Sequence, residues 1–311
     1  MERNISLDCL KVILAVFVVA LHSSILHDIS PEISFLLVNG IFRIAVPVFL
    51  IITGYYFLFV NDLRKWLLRI ITLYFVWMVI YSFFYLELKF SYISLAKNIF
   101  FIIFGYHHLW YLAGTILGGI LLFYSRQLNS KIQFILASSL FLMGVALQYL
   151  GNFHFLPGRF DGILNFYPVY RNFLTVCFPF LMIGFLIHKL ELNKKLKKYI
   201  IPLMCFSLVI LYVEAYINYY FISKSDPLDL MFSLFLICPL IFIFFLNKNI
   251  SGKNRNLAIF STALYLIHPL FQNILKYYSL NSIQSFILTV VLSTLASILL
   301  ILIHKKFKFI L

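Results

Sequence analysis

Four of the eight histidines lie inside or just before apolar stretches of the sequence: His22, His107, His108 and His268. Imidazole exchanges protons near neutral pH, so histidines in such surroundings indicate acid–base chemistry. Tyr265 lies three residues before His268, which places both side chains near one face of a helix. The alternative for His22 is an interfacial histidine whose hydrogen bonds are satisfied.

Two cations also interrupt apolar stretches. Lys11 precedes His22 by 11 residues, about three helical turns, so both side chains face one side roughly 16 Å apart. Asp8 lies one turn before Lys11 and is expected to pair with it. Arg43 cannot lose its proton, so it must face other helices or a wet cavity, and Glu214 is a candidate partner. The alternatives are snorkelling for Lys11 and a purely structural salt bridge for Arg43.

The composition shows what kind of element carries these residues. The chain has 311 residues, of which 63% are hydrophobic and 12% charged, and its mean hydropathy is +0.98. Soluble domains are about a quarter charged, so a soluble enzyme, a disordered chain and a nucleic-acid binder are excluded. The four cysteines fall inside apolar runs without metal-type spacing, which favours small apolar residues over disulfides or zinc ligands.

Ten apolar runs have the length of about 20 residues that crosses the hydrocarbon core as a helix. They lie at roughly 9–26, 34–60, 69–86, 108–125, 132–150, 168–187, 199–221, 228–246, 256–276 and 283–303. The second run contains Gly40, Arg43 and Pro47 and should tilt, kink or begin as a loop. The stretch 90–104 is expected to form a short interfacial or re-entrant helix. We expect the first run to be retained rather than cleaved as a signal peptide.

Lysine and arginine are distributed unevenly between alternate loops. One set of loops and both chain ends carries 17 of these residues and the other set carries 6. The positive-inside rule then places both termini in the cytoplasm and explains the net charge of +14 without nucleic acid. The fold class is therefore an all-α polytopic membrane protein, with residues 1–311 as one integral-membrane domain. This topology puts His22, His108, Arg171, Glu214, Tyr265 and His268 in the outer half, and Arg64, Lys65 and Arg69 at the inner face.

Four sequence blocks, in order along the chain, resemble those of the membrane acyltransferase 3 family, whose multi-pass enzymes O-acylate glycans. They are Leu7-Asp8-Cys9-Leu10-Lys11 followed by His22, Phe42-Arg43-Ile44-Ala45-Val46-Pro47-Val48-Phe49 through Thr53-Gly54-Tyr55, His108-Leu109-Trp110-Tyr111-Leu112, and Ala263-Leu264-Tyr265-Leu266-Ile267-His268-Pro269-Leu270. Two positions depart from the pattern. Lys11 stands where the family usually has arginine, and only Arg69 remains of its Arg-x-x-Arg pair.

The resemblance implies transfer of an acyl group, most often acetyl, from cytoplasmic acyl-CoA to a hydroxyl of an extracytoplasmic glycan. The expected location is the bacterial plasma membrane. His22 is expected to act as the base or as a transient acyl carrier, and Arg43 to stabilise the oxyanion. Lys11, Arg64, Lys65 and Arg69 are expected to hold acyl-CoA. Supporting or acceptor-side roles are expected for Asp8, His108, Trp110, Tyr111, Arg171, Glu214, Tyr265 and His268.

The expected partners are the bilayer, acetyl-CoA or another acyl-CoA as donor substrate, and a glycan acceptor, with no nucleic acid, no metal and no permanently bound cofactor. A competing interpretation is a transporter or exporter of a glycan or lipid-linked intermediate that uses the same polar cavity without covalent chemistry. A third is a structural or immunity-type membrane protein with degenerate motifs. The sequence leaves open the acceptor, the choice between acetyl and succinyl, and the oligomeric state.

Overall fold

The computed structural model describes residues 3–89 and 91–311, and helices make up most of this part of the chain. The α-helices are Ile5–His22 (α1), Pro31–Val38 (α2), Ala45–Tyr56 (α3), Leu63–Tyr85 (α4), Tyr92–Phe104 (α5), Trp110–Ser125 (α6), Ser130–Asn152 (α7), Arg159–Leu164 (α8), Tyr167–Tyr170 (α9), Phe178–Lys189 (α10), Leu192–Lys195 (α11), Ile200–Phe221 (α12), Phe232–Lys248 (α13), Asn256–Leu275 (α14) and Ser282–Lys306 (α15). Short 3-10 turns cover Ile41–Ile44, Phe57–Phe59 and His107–Leu109, and a π-helical turn covers Phe173–Cys177.

Within residues 3–89 and 91–311, nine helical segments are long and apolar enough to cross a membrane. They correspond to nine of the ten predicted spans. The segment predicted at 228–246 forms α13, a helix of 17 residues that begins at Phe232. The protein is therefore an all-α polytopic membrane protein, as the sequence indicates.

Two helices begin earlier than predicted because side chains cap their amino ends. Asn4 accepts a hydrogen bond from the backbone N–H of Ser6, and α1 consequently runs from Ile5 to His22 instead of 9–26. Asp62 accepts from the N–H of Lys65, so α4 begins at Leu63 rather than at 69. His22 is thus the last residue of its helix.

The second span is interrupted, as its glycine, arginine and proline predict. Helix α2 ends at Val38, a 3-10 turn follows over Ile41–Ile44, and α3 begins at Ala45. Arg43 lies within this turn, and its N–H donates to the carbonyl of Gly40. The interruption aims the Arg43 side chain between helices rather than along a regular helical face.

Helices α3 and α10 form the centre of the bundle, where two glycines allow their backbones to touch. A Cβ on Gly54 would lie 1.9 Å from the carbonyl oxygen of Leu181, and one on Gly184 would lie 2.1 Å from that of Ile51. Small residues that permit such close approach are typical of helix contacts in membranes.

The bundle has two ends that differ in their side chains. We call the end where α1 stops and α6 starts the histidine end, and the opposite one, with the amino end of α4, the basic end. At the basic end the strands Arg3–Asn4 (β1) and Ser251–Gly252 (β2) pair antiparallel.

Helix α5 lies at the histidine end, between the end of α4 and the start of α6, which confirms the short helix predicted at 90–104. Tyr74 of α4 donates to the carbonyl of Ile102 at 2.7 Å, and Lys97 pairs with Glu87 at 2.9 Å. These contacts fix the helix against the side of α4.

Candidate active site

Four imidazole rings meet at the histidine end. The ring centroid of His22 lies 4.3 Å from that of His107 and 5.6 Å from that of His268. The ring of His108 lies 5.2 Å from that of His268 and 5.9 Å from that of His107. Three separate parts of the chain thus converge on one cluster, and His22 faces other helices of the bundle.

Three elements hold the members of this histidine cluster: α1, the 3-10 turn before α6, and α14. His22 ends α1, and Gln272 of α14 donates to the carbonyl of Val19 at 3.3 Å and to the hydroxyl of Ser23 at 3.1 Å. These bonds tie the end of α1 to the helix that carries His268. His107 adopts a φ of 50°, a left-handed conformation that is uncommon outside glycine and turns the chain into α6.

Burial divides the cluster into an open and a closed half. His22 and His107 are exposed, whereas His108 and His268 are only 1% and 0% exposed. The Tyr265 hydroxyl donates to the backbone carbonyl of His108 at 2.7 Å, so Tyr265 and His268, one turn apart on α14, both belong to the cluster. The predicted face shared by Tyr265 and His268 therefore points at the other histidines.

The bonding of His268 fixes where its proton lies. Its Nδ1 is 2.7 Å from the carbonyl oxygen of Tyr265, and a carbonyl only accepts, so Nδ1 carries a hydrogen. In the neutral ring Nε2 then presents a lone pair, and this buried atom has no hydrogen-bond partner among the described residues. An unprotonated nitrogen in a closed cluster is what a general base requires.

Arg43 lies in a second group of polar side chains at the same end, which we call the arginine cluster. Its guanidinium bonds to Asp229 and, through Nη2, to the side-chain oxygen of Asn39 at 2.8 Å. Arg171 donates through Nη1 to the same carboxylate oxygen of Asp229 at 3.0 Å. The side chains of Arg43, Arg171 and Asp229 are 12%, 23% and 4% exposed.

The predicted pairing of Arg43 with Glu214 is wrong. Glu214 instead accepts from the hydroxyl of Tyr149 and from the backbone N–H groups of Phe232 and Ser233, at 2.8–2.9 Å. It caps the start of α13, whose first N–H groups would otherwise lack acceptors. The true partner, Asp229, lies in the irregular segment just before that helix.

Trp110 connects the two clusters. It begins α6 directly after the turn that carries His107 and His108, and the Arg171 guanidinium lies 5.0 Å from the centroid of its ring. On α1 and the 3-10 turn, the rings of Phe17 and Phe42 lie 5.0 Å apart. The Trp110 contact thus places Arg171 against the first residue of α6, two residues after His108 in the chain.

A narrow cavity of about 90 Å³ adjoins Tyr265 on the side toward the basic end. It is lined by Phe49, Leu73, Tyr111, Leu112, Ser261, Thr262, Tyr265 and Leu266. The lining is mostly apolar and comes from α3, α4, α6 and α14. Leu73 lies one turn after Arg69 on α4, so the two side chains share a helix face that leads from the basic end to the cavity.

The predicted acyl-CoA residues lie at the basic end in two separate groups. Arg64, Lys65 and Arg69 are all exposed on the first turns of α4, and Lys65 pairs with Asp62 at 3.6 Å. Lys11 lies 3.5 Å from Asp8, which confirms the predicted pairing. Arg3 binds the same carboxylate, and no residue of α1 lines the cavity.

Sequence reasoning missed Asp229 and Asn39, which hold the Arg43 guanidinium, and gave no role to His107. Asp229 is the single acid in the predicted span 228–246. An acid within an apolar run is costly, and this signal in the sequence could have identified Asp229 as a candidate site residue. Across residues 3–89 and 91–311, no three His, Cys, Asp or Glu side chains are arranged to hold a metal ion.

Comparison with known proteins gives one family and two curated relatives. An amino-acid racemase from Enterococcus faecalis is 27% identical over 99% of this chain and 47% of its own length. A serine/alanine racemase from Enterococcus gallinarum is 28% identical over 86% of this chain and 40% of its own length. The chain thus spans less than half of each relative, and no solved structure matches it. The model of an acyltransferase domain matches residues 4–305, nearly the whole chain, which therefore belongs to the acyltransferase 3 family.

Proposed function

We propose that this membrane acyltransferase moves an acyl group, most often acetyl, from cytoplasmic acyl-CoA to a hydroxyl of an extracytoplasmic glycan. The observation that carries the proposal is the histidine cluster with an unpartnered basic nitrogen on His268. Acyl transfer to an alcohol needs such a base close to the hydroxyl. The bacterial plasma membrane, with both termini in the cytoplasm, is the location that fits the distribution of lysine and arginine.

The cavity beside Tyr265 supports a route for the donor. Arg64 and Arg69 would bind the CoA phosphates at the basic end, and the thioester arm would extend past Leu73 into the apolar cavity. At about 90 Å³ the cavity suits an extended chain and not a nucleotide. Lys11 would contribute a further positive charge at the same end of the bundle.

In the reaction, an imidazole of the cluster accepts the proton of the acceptor hydroxyl while the hydroxyl oxygen bonds to the thioester carbon. The tetrahedral intermediate collapses, the C–S bond breaks, and the departing sulfur takes the proton back from the imidazolium. His22, whose ring is exposed, acts either as this base or as a carrier that is acylated first. A second hydrogen on an Arg43 Nη group, beyond those bonded to Asp229 and Asn39, would stabilise the oxyanion.

Racemisation is not part of this proposal. The two curated relatives are named as racemases, but each is more than twice as long as the region that this chain matches. Their names describe whole proteins, whereas the shared part is the acyltransferase domain.

The test uses membranes that contain the full chain and acyl-CoA labelled in the acyl group. We expect label to appear on surface glycan, with a loss of about 100-fold or more in His22→Ala, the size of effect that general-base removal produces. His27→Ala is the matched control, because His27 is an exposed histidine outside the cluster. Normal transfer in His22→Ala would end the assignment of His22. Movement of unmodified substrate without consumption of the CoA ester would identify a transporter instead.

A further inference from the structure

The arginine cluster carries more positive charge than a structural ion pair needs. Arg43 and Arg171 both bond to the same oxygen of Asp229, so two permanent cations share one carboxylate. One net positive charge remains in a site where all three side chains are largely buried. Burial of an uncompensated charge is costly, and an ion-pair network built only for stability would balance it.

The cluster also has unused hydrogen-bond donors. The Nε atoms of Arg43 and Arg171 are buried and have no hydrogen-bond partner in the part of the chain that the structure describes. A buried donor without an acceptor loses its bond to water and gains none in return, and the cost is greater when the donor is charged. A ligand with anionic oxygens would satisfy these donors and the excess charge together.

Aromatic rings hold Arg171 in place for such a ligand. The guanidinium lies 5.0 Å from the ring centroid of Trp110 and 4.7 Å from that of Tyr167. Stacking against aromatic faces orients a guanidinium and leaves its N–H edge free for a carboxylate or phosphate group. The side-chain oxygen of Gln148 accepts hydrogen bonds from the backbone N–H groups of Asp229 and Leu230. These bonds fix the backbone that carries the Asp229 carboxylate.

The position of the cluster relates the anion to the reaction. Trp110, which stacks on Arg171, directly follows the turn that carries His107 and His108. An acceptor anchored at the arginine cluster would therefore extend its neighbouring hydroxyl groups toward the histidine cluster. Both groups belong to the histidine end, away from the exposed cations of the basic end.

We propose that Arg43, Arg171 and Asp229 form a binding site for a carboxylate or phosphate group of the acceptor. The acceptor is then an acidic hydroxyl compound, such as a glycan with uronate or phosphate substituents, rather than a neutral sugar. Asp229 holds the two guanidinium groups close together, because both bond to the same carboxylate oxygen. The identity of the ligand as acceptor rests on the proposed acyl transfer, whereas anion binding at this site does not.

The test measures anion binding without activity. The full chain is purified into nanodiscs, and its unfolding midpoint is followed with glucuronate, glucose 6-phosphate or neutral glucose at constant ionic strength. A ligand that binds only the folded state raises the midpoint with its concentration. We expect a saturable rise with one or both acidic sugars and none with glucose, and the stronger of the two identifies a carboxylate or a phosphate.

Two variants in the cluster should respond in opposite directions. Arg171→Gln should abolish the rise in midpoint, whereas Asp229→Asn should shift it to lower ligand concentration, because the competing carboxylate is gone. Arg159→Gln is the control, since Arg159 is an exposed arginine at the same end. The proposal is overturned if neither acidic sugar raises the midpoint, if Arg171→Gln retains the rise, or if Asp229→Asn loses it.

The same preparation separates this proposal from the proposed acyl transfer. His22→Ala should keep the anion-dependent rise while it loses transfer. If wild-type protein binds acidic sugars but transfers no acyl group, only the proposed function fails. If it acylates neutral glucose as well as the acidic sugars and shows no anion-dependent rise, only the anion site fails.

Discussion

The two ends of the bundle differ in the burial of their polar side chains. At the histidine end, His108 and His268 are buried, and their ring nitrogens include atoms without a hydrogen-bond partner within residues 3–89 and 91–311; two arginines there share one carboxylate. At the basic end, Arg64, Lys65 and Arg69 are exposed, so water solvates their charges. Polar groups at the first end therefore cost stability, and those at the second cost almost none.

This difference indicates different kinds of binding. Buried groups with fixed geometry suit a reaction centre, where donors and bases must be in place before the substrate arrives. Exposed flexible cations suit the capture of phosphates, where charge matters more than geometry and salt weakens the attraction. Substitutions of buried polar side chains at the histidine end should thus have large effects on transfer, and substitutions of exposed cations at the basic end should have small, salt-dependent effects.

The largest effect is expected for His268→Asn. The asparagine amide can still donate to the carbonyl of Tyr265, but it lacks the basic Nε2. We expect acyl transfer to fall about 100-fold or more with little change in the unfolding midpoint. The measurement is label transfer alongside thermal unfolding of the purified chain. A variant as active as wild type would show that His268 only packs against His22.

A smaller effect is expected for Arg64→Gln and Arg69→Gln at the basic end. Exposed charge interactions are worth about 0.2–1 kcal/mol, so each variant should raise KM for acyl-CoA by a factor between about 1.4 and 5 at low salt. The turnover number should stay unchanged in both variants. Lys65→Gln is the comparison. Because Lys65 already pairs with Asp62, the loss of the lysine charge should change KM less than the loss of either arginine. Unchanged KM in both arginine variants would place the CoA phosphates elsewhere.

The smallest effect on transfer is expected at His154, an exposed histidine at the histidine end. Hydrogen bonds from its ring to Asp226 and Asp161, each near 2.9 Å, raise the pKa of His154 above its usual 6.5. A raised pKa means that the charged ring stabilises these loops fully below pH 6.5. This stabilisation is lost as the pH rises through the raised value.

Hydrogen exchange at constant temperature, corrected for intrinsic rates, should show the loops around Asp161 and Asp226 opening as the pH rises. His154→Gln should remove the pH dependence, and acyl transfer should change less than about two-fold since surface pairs contribute little. A pH response that survives in His154→Gln would assign it to another group.

Much of the fold is predictable from the sequence because the hydrocarbon core imposes a length and an apolarity on each span. Nine of the ten predicted spans match helices that meet the length requirement, and the interruption near Arg43 follows from Gly40 and Pro47. The positions of the helix ends are predicted less accurately. Capping by Asn4 and Asp62 depends on local side-chain hydrogen bonds, which a hydropathy pattern does not reveal.

The site is only partly predictable. The polar residues inside apolar runs were recognisable one at a time, because each such residue is costly in a membrane. Their partners were not: Glu214 and Asp229 are both acids near the same end, and sequence distance does not distinguish them. The contact of Arg43 with Asp229 spans 186 residues and depends on how α13 and its preceding segment pack.

The order of apolar runs and four short motifs by themselves indicated a polytopic helical protein of the acyltransferase 3 family, and they predict chemistry near His22. Only the tertiary structure decided that four imidazoles meet, that the His268 ring donates through Nδ1 and leaves Nε2 unprotonated, and that two guanidinium groups share Asp229. Hydropathy and motif spacing act within a single helix, whereas these contacts arise where helices distant in sequence approach one another.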